Sequence, residues 1–94
     1  MKVIVDGLAT EYQDQGNGQI ILMLHGWGNT LHSFDALIPE LSKNHRVVRL
    51  DLPGFGATEQ ADTVWSVEDY ARFVAAFCTK MSLQPDVIVG HSLG

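Results

Sequence analysis

Val87-Ile88-Val89-Gly90-His91-Ser92-Leu93-Gly94 decides how this chain is read: a short apolar run gives way to the pattern G-x-S-x-G. A run of that length fits a buried strand. A serine held between two glycines directly after a strand is the signature of a nucleophile elbow, a sharp turn that keeps the hydroxyl clear of the backbone. Side chains at Gly90 or Gly94 would crowd such a strained turn. The same five-residue pattern also occurs in ordinary turns, so its weight depends on what precedes it.

Working back from it, Lys2 to Val5 and Leu8 to Gln13 read as two strands joined at Asp6-Gly7, a dipeptide that favours a tight hairpin. Ile20 to Leu24 is a continuous apolar run, as expected of a strand covered on both faces. A loop, His25-Gly26-Trp27-Gly28-Asn29-Thr30, leads into a short helical stretch over Ser33 to Lys43, where Pro39 fits only a first turn or a break. Arg46 to Leu50 is a third strand, and Asp51 to Thr58 a second glycine-rich loop. Ser66 with Asp69 resembles a capping box. Val67, Tyr70, Ala71, Val74, Phe77, Cys78 and Met81 then recur on one helical face, with Gln84-Pro85 ending the helix. Asp86 to Gly90 supplies the last strand. Strands separated by crossover helices predict an α/β domain: a hairpin, then three mostly parallel strands with two crossover helices. Ligands of open parallel sheets bind beyond the carboxyl ends of the strands, and all three unusual loops begin there.

Composition sets wider bounds. The 94 residues are 46% hydrophobic, enough for one domain with a core, and the net charge of -5 comes without any basic run. Nucleic acid and membrane surfaces are therefore excluded as expected partners. Lys2 and the short Val3-Ile4-Val5 run are too brief for a signal peptide, so a cytoplasmic protein is expected. Cys78, the single cysteine, reads as core packing. None of the four histidines has zinc-ligand spacing, so no metal is expected. Gly54-Phe55-Gly56 lacks the third glycine and the lysine of nucleotide-binding loops, and no cofactor is predicted.

His25-Gly26-Trp27-Gly28, Asp51-Leu52-Pro53-Gly54-Phe55-Gly56 and Gly90-His91-Ser92-Leu93-Gly94, in this order and at this spacing, resemble the α/β-hydrolase superfamily, specifically its serine esterases and carbon–carbon bond hydrolases. The resemblance implies that Ser92 is the nucleophile and that the backbone N–H groups of Trp27 and Leu93 form an oxyanion hole. It makes the Asp51 to Gly56 loop a supporting turn, and Ser92 argues against the dehalogenase and epoxide hydrolase relatives, which use aspartate. Thr58 stands where many relatives have serine and keeps the hydroxyl. Beside this, Trp27 is expected either to line an acyl pocket or to wedge its loop. His25 is expected to pack under the oxyanion loop, or else to form a weak dyad. His91, adjacent to Ser92 at a sharp turn, points away from its neighbour's hydroxyl and is not expected to be the base.

Residues 1–94 are expected to form a single incomplete domain of this fold. In it the acid and base that follow the serine lie beyond Gly94, so the chain by itself is expected to be inactive and an ester-like substrate belongs to a longer form. The unpaired apolar edge of the last strand predicts a homo-oligomer. The competing expectation is a non-catalytic, self-associating module with a relic site.

Overall fold

Gln19–Leu24 (β3) is the strand around which the rest is arranged, and its residues explain why: Ile21, Leu22, Met23 and Leu24 are all buried, so both faces need a covering layer. In the computed structural model, which describes residues 1–91, β3 lies between two parallel neighbours, His45–Leu50 (β4) and Val87–Gly90 (β5). The amino-terminal hairpin, Lys2–Val5 (β1) and Leu8–Gln15 (β2), adds to the far side through an antiparallel pairing of β2 with β4. The sheet order is β1-β2-β4-β3-β5. Asp6 and Gly7 both take positive φ, 47° and 80°, as the hairpin turn requires.

The two crossovers cover opposite faces. Leaving β3, the chain forms a 3₁₀ turn over Leu31–Leu37 that runs into a short helix, Ile38–Leu41 (α1), and Phe34 and Ile38 pack on Ile21, Met23 and Val47. Leaving β4, it forms the long helix Val67–Lys80 (α2), whose Phe73 and Phe77 pack on Leu22, Leu24, Val48 and Leu50. Fully burying side chains of this size contributes about 1.5–3 kcal/mol each.

α2 begins as its sequence predicts. The Ser66 side chain accepts a hydrogen bond from the Asp69 N–H, and the Asp69 carboxylate accepts one from the Ser66 N–H. It ends earlier than expected, before Gln84-Pro85. Ser82 takes φ 56°, and the N–H groups of Ser82 and Leu83 return to the carbonyls of Thr79 and Cys78, a Schellman closure with Leu83 buried behind it. The packing face is also turned: Phe73 is buried while Val67 and Ala71 are exposed. Cys78 is half-buried at the margin of the core, and that burial raises its thiol above the ordinary range.

The first crossover differs from the α-helix expected over Ser33 to Lys43. The Leu31 N–H donates to Asp51 and the Leu31 carbonyl accepts from Arg49, so tertiary partners take the groups that would start a regular α-helical ladder. Pro39 falls in the first turn of α1, where its missing N–H costs nothing.

Candidate active site

The chain leaves β3 for β4 on one side and returns to β5 on the other, so the carboxyl end of β3 is a topological switch point. Open sheets of this kind leave a crevice there. Three segments meet at that rim: the loop after Leu24, the loop after Leu50, and the end of β5, where Gly90 is in register with Leu24 and the His91 N–H donates to the Leu24 carbonyl at 3.1 Å.

His25 is fully buried and both of its ring nitrogens are occupied. Nε2 accepts from the Leu52 N–H at 2.9 Å, and Nδ1 lies 2.8 Å from the Gly26 carbonyl. A backbone N–H can only donate, so the proton sits on Nδ1 and the ring is a neutral strut between the two loops. The ring lies between the two loops with neither nitrogen left for a dyad. Beyond it, the Asn29 N–H closes a four-residue turn on the Gly26 carbonyl, with Gly28 at φ 77° in the position that needs positive φ. The Trp27 N–H, in the middle of this turn, has no hydrogen-bond partner among the described residues. Trp27 is 64% exposed, and its ring packs edge-on against Phe55 and Tyr70.

Asp51 ties the second loop to the first. Its buried carboxylate accepts from the Leu31 N–H at 2.7 Å and from the Ala57 N–H at 2.9 Å. Gly56, at φ 53°, lies against that carboxylate so closely that a Cβ would collide with it. Gly54 and Pro53 form the centre of a turn closed by the Phe55 N–H on the Leu52 carbonyl. The Thr58 hydroxyl accepts from the Glu11 N–H, which anchors the loop to β2.

Arg49 was not singled out by its sequence context and is central to this support. Buried in β4, it donates to the Leu31 carbonyl, to Asp35 at 2.6 Å and to Gln15 at 3.0 Å, while its Nε has no partner. The Arg49 hydrogen bond holds the Asp35 carboxyl below its ordinary range. A charged residue inside the otherwise apolar Val47-Val48-Arg49-Leu50 run is the signal that could have revealed it.

The structure therefore brings His25, Gly26, Trp27, Gly28, Asp51, Gly54, Gly56, Gly90 and His91 to one rim. Ser92, Leu93 and Gly94 lie outside the described residues. His32 is paired with Asp35 on the surface, and His45 stands at the start of β4, at the opposite end of that strand from the rim. Among the described residues no group of three His, Cys, Asp or Glu side chains is placed to hold a metal. Among the described residues no helix is long and apolar enough to cross a membrane.

A mixed sheet with a glycine-rich turn at its switch point and a supporting loop alongside defines a class of α/β domains that build their sites on this edge. The family model described as alpha/beta hydrolase fold matches residues 19–94, and the chain belongs to that family. It is 35% identical over 79 residues to the magnesium-chelatase 30 kDa subunit of Rhodobacter capsulatus, covering 83% of this chain and 28% of that protein. It is 31% identical over 93 residues to the uncharacterized hydrolase YugF of Bacillus subtilis, covering 96% and 34%. Among solved structures, a bacterial membrane phospholipase A superposes with a TM-score of 0.95 at 29% identity, covering 100% of this chain and 31% of that one. The chain thus spans about a third of the length of the relatives it matches.

Proposed function

We propose that this chain carries the nucleophile half of a serine hydrolase site, with Ser92 attacking the carbonyl carbon of an ester or related acyl bond. The observation that carries this reading is the Trp27 N–H, left without a partner among the described residues on a loop that His25 and Asp51 hold rigid from beneath. In this reading the oxygen of the attacked carbonyl takes up negative charge between the N–H groups of Trp27 and Leu93. Donors fixed in advance at such a position are typically worth about 2.7–4 kcal/mol of barrier each.

The serine's proton must pass to a base as the Oγ–carbon bond forms. Among the described residues no histidine is free to receive it at the rim except His91, whose place beside Ser92 turns it away. The ninety-four residues taken alone are therefore proposed to be inactive, and turnover belongs to a protein that also supplies a base and an acid. The test is labelling with a fluorophosphonate in the presence and absence of added imidazole. Imidazole is expected to raise labelling of the wild-type chain and not of Ser92→Ala. Equal labelling of the two would overturn Ser92 as nucleophile, and rapid labelling without imidazole would overturn the proposed inactivity.

A second reading, self-association, is favoured by β5. Val87 and Ile88 are 48% and 60% exposed on a strand that pairs only with β3 among the described residues. Exposed apolar edges recruit another chain, and a second copy pairing along β5 is the proposed occupant. Light scattering coupled to size-exclusion chromatography is expected to give a mass above that of one chain. A stable monomer would refute it.

A further inference from the structure

Beside the candidate oxyanion loop lies a cleft of about 360 Å³ whose walls are drawn from separate segments: Trp27 from the loop after β3, Phe55 from the loop after β4, Trp65 from the connector before α2, and Tyr70 from the first turns of α2. The four rings stand at steep angles. Trp27 meets Phe55 at 74° and Tyr70 at 83°, and Trp65 meets Tyr70 at 69°, with centroids 5.1–6.3 Å apart. Rings set this way form walls and a floor instead of a parallel stack, and all four line the cleft.

Beside the rings the cleft is lined by the neutral polar residues Gln60 and Thr63. This cleft also carries Asp62, a carboxylate with no ion pair or hydrogen bond among the described residues, and no lysine or arginine lines it. Aromatic faces and a free carboxylate favour the same sign of charge. The quadrupole of each ring attracts a cation, most strongly for tryptophan, and a weakly hydrated cation loses little on leaving water. We propose that this cleft is a binding site for an organic cation of the methylated-ammonium class, seated against Trp27 and Trp65 and balanced by Asp62. Its position beside the Trp27 N–H would place such a cation on a substrate's acyl or leaving group, a link that rests on the Ser92 reading; the binding itself does not.

The chain has two tryptophans and both line the cleft, so its intrinsic indole emission reports on this site alone. Choline is titrated against the chain at constant ionic strength, and its neutral carbon isostere 3,3-dimethylbutan-1-ol is titrated in parallel. Choline is expected to give a saturable change and to bind about 2- to 30-fold more tightly than the isostere. Asp62→Asn, on an exposed loop, is expected to weaken choline by about 2- to 5-fold and leave the isostere unchanged. Ser92→Ala is expected to keep the full response while losing the imidazole-dependent fluorophosphonate labelling, which separates the two proposals. Equal affinity for choline and the isostere would show an apolar pocket and overturn the assignment. So would the absence of a saturable response, or an Asp62→Asn variant that binds choline as the wild type does.

Discussion

Asp51 accepts a 2.7 Å hydrogen bond from the backbone N–H of Leu31, twenty residues earlier in the chain, and with its other oxygen holds the N–H of Ala57. One carboxylate thereby fixes the spacing of the two loops that flank the site. Asp51→Asn leaves one of the two donors facing an amide NH₂ group. The loss is expected to be about 1–3 kcal/mol, the usual cost of orphaning a buried donor. Urea denaturation of the two proteins measures it, and coincident midpoints would show that the loops do not depend on this bridge.

Gly56→Ala tests the same junction from the other side. The backbone conformation alone costs an L-residue roughly 1–2 kcal/mol. The new methyl group also meets the Asp51 carboxylate. The double variant Asp51→Ala/Gly56→Ala is expected to be less destabilised than the two single losses added together, because the collision disappears. Strict additivity in chemical denaturation would mean that the two residues do not compete for space.

Acid is expected to loosen the Arg49 network. Its hydrogen bond to Arg49 lowers the Asp35 carboxyl below its ordinary value of 3.8, so the folded state binds that proton less readily than the unfolded state. The resulting stabilisation is fully present above the ordinary value and is lost as pH falls through the lowered one. Urea midpoints followed from neutral pH down into the acid range should decline less steeply in Asp35→Asn than in the wild type. Parallel profiles would remove Asp35 from the account.

Phe73 is 1% exposed, between α2 and the β3–β4 region of the sheet. Phe73→Ala is expected to cost about 3–5 kcal/mol. That is a large part of the roughly 5–15 kcal/mol available to an ordinary domain. Thermal unfolding followed by circular dichroism should show a strongly lowered midpoint. A small shift would mean that the core closes over the cavity.

Local rules carried the sequence reading furthest where local chemistry decides the structure. The Asp6-Gly7 turn and the Ser66–Asp69 capping box involve neighbours along the chain, and both stand as read. Phe73 escaped because helical spacing alone does not fix which way a helix is rolled. The sheet drew in Phe73 and Phe77 and left Val67 and Ala71 outside. The 3₁₀ turn over Leu31–Leu37 escaped because its partners, Arg49 and Asp51, are distant in sequence. Of the site, the residues at the rim were legible from their motifs. The buried ties beneath it, Arg49 above all, form through tertiary contacts that no spacing rule encodes.

The position of β5 also has a kinetic side. The hairpin closes over a two-residue turn, whereas the bond from the Ile20 N–H to Asp86 joins residues 66 apart. Each doubling of a closed loop costs only about 0.6 kcal/mol, so this separation delays the strand without forbidding it. Once docked, β5 pairs among the described residues with β3 alone, and its Val87 and Ile88 are exposed. Amide exchange is therefore expected to be faster in this edge strand than in β3 and β4. In these ninety-four residues the strand that leads to Ser92 is thus expected to open before the centre of the sheet does.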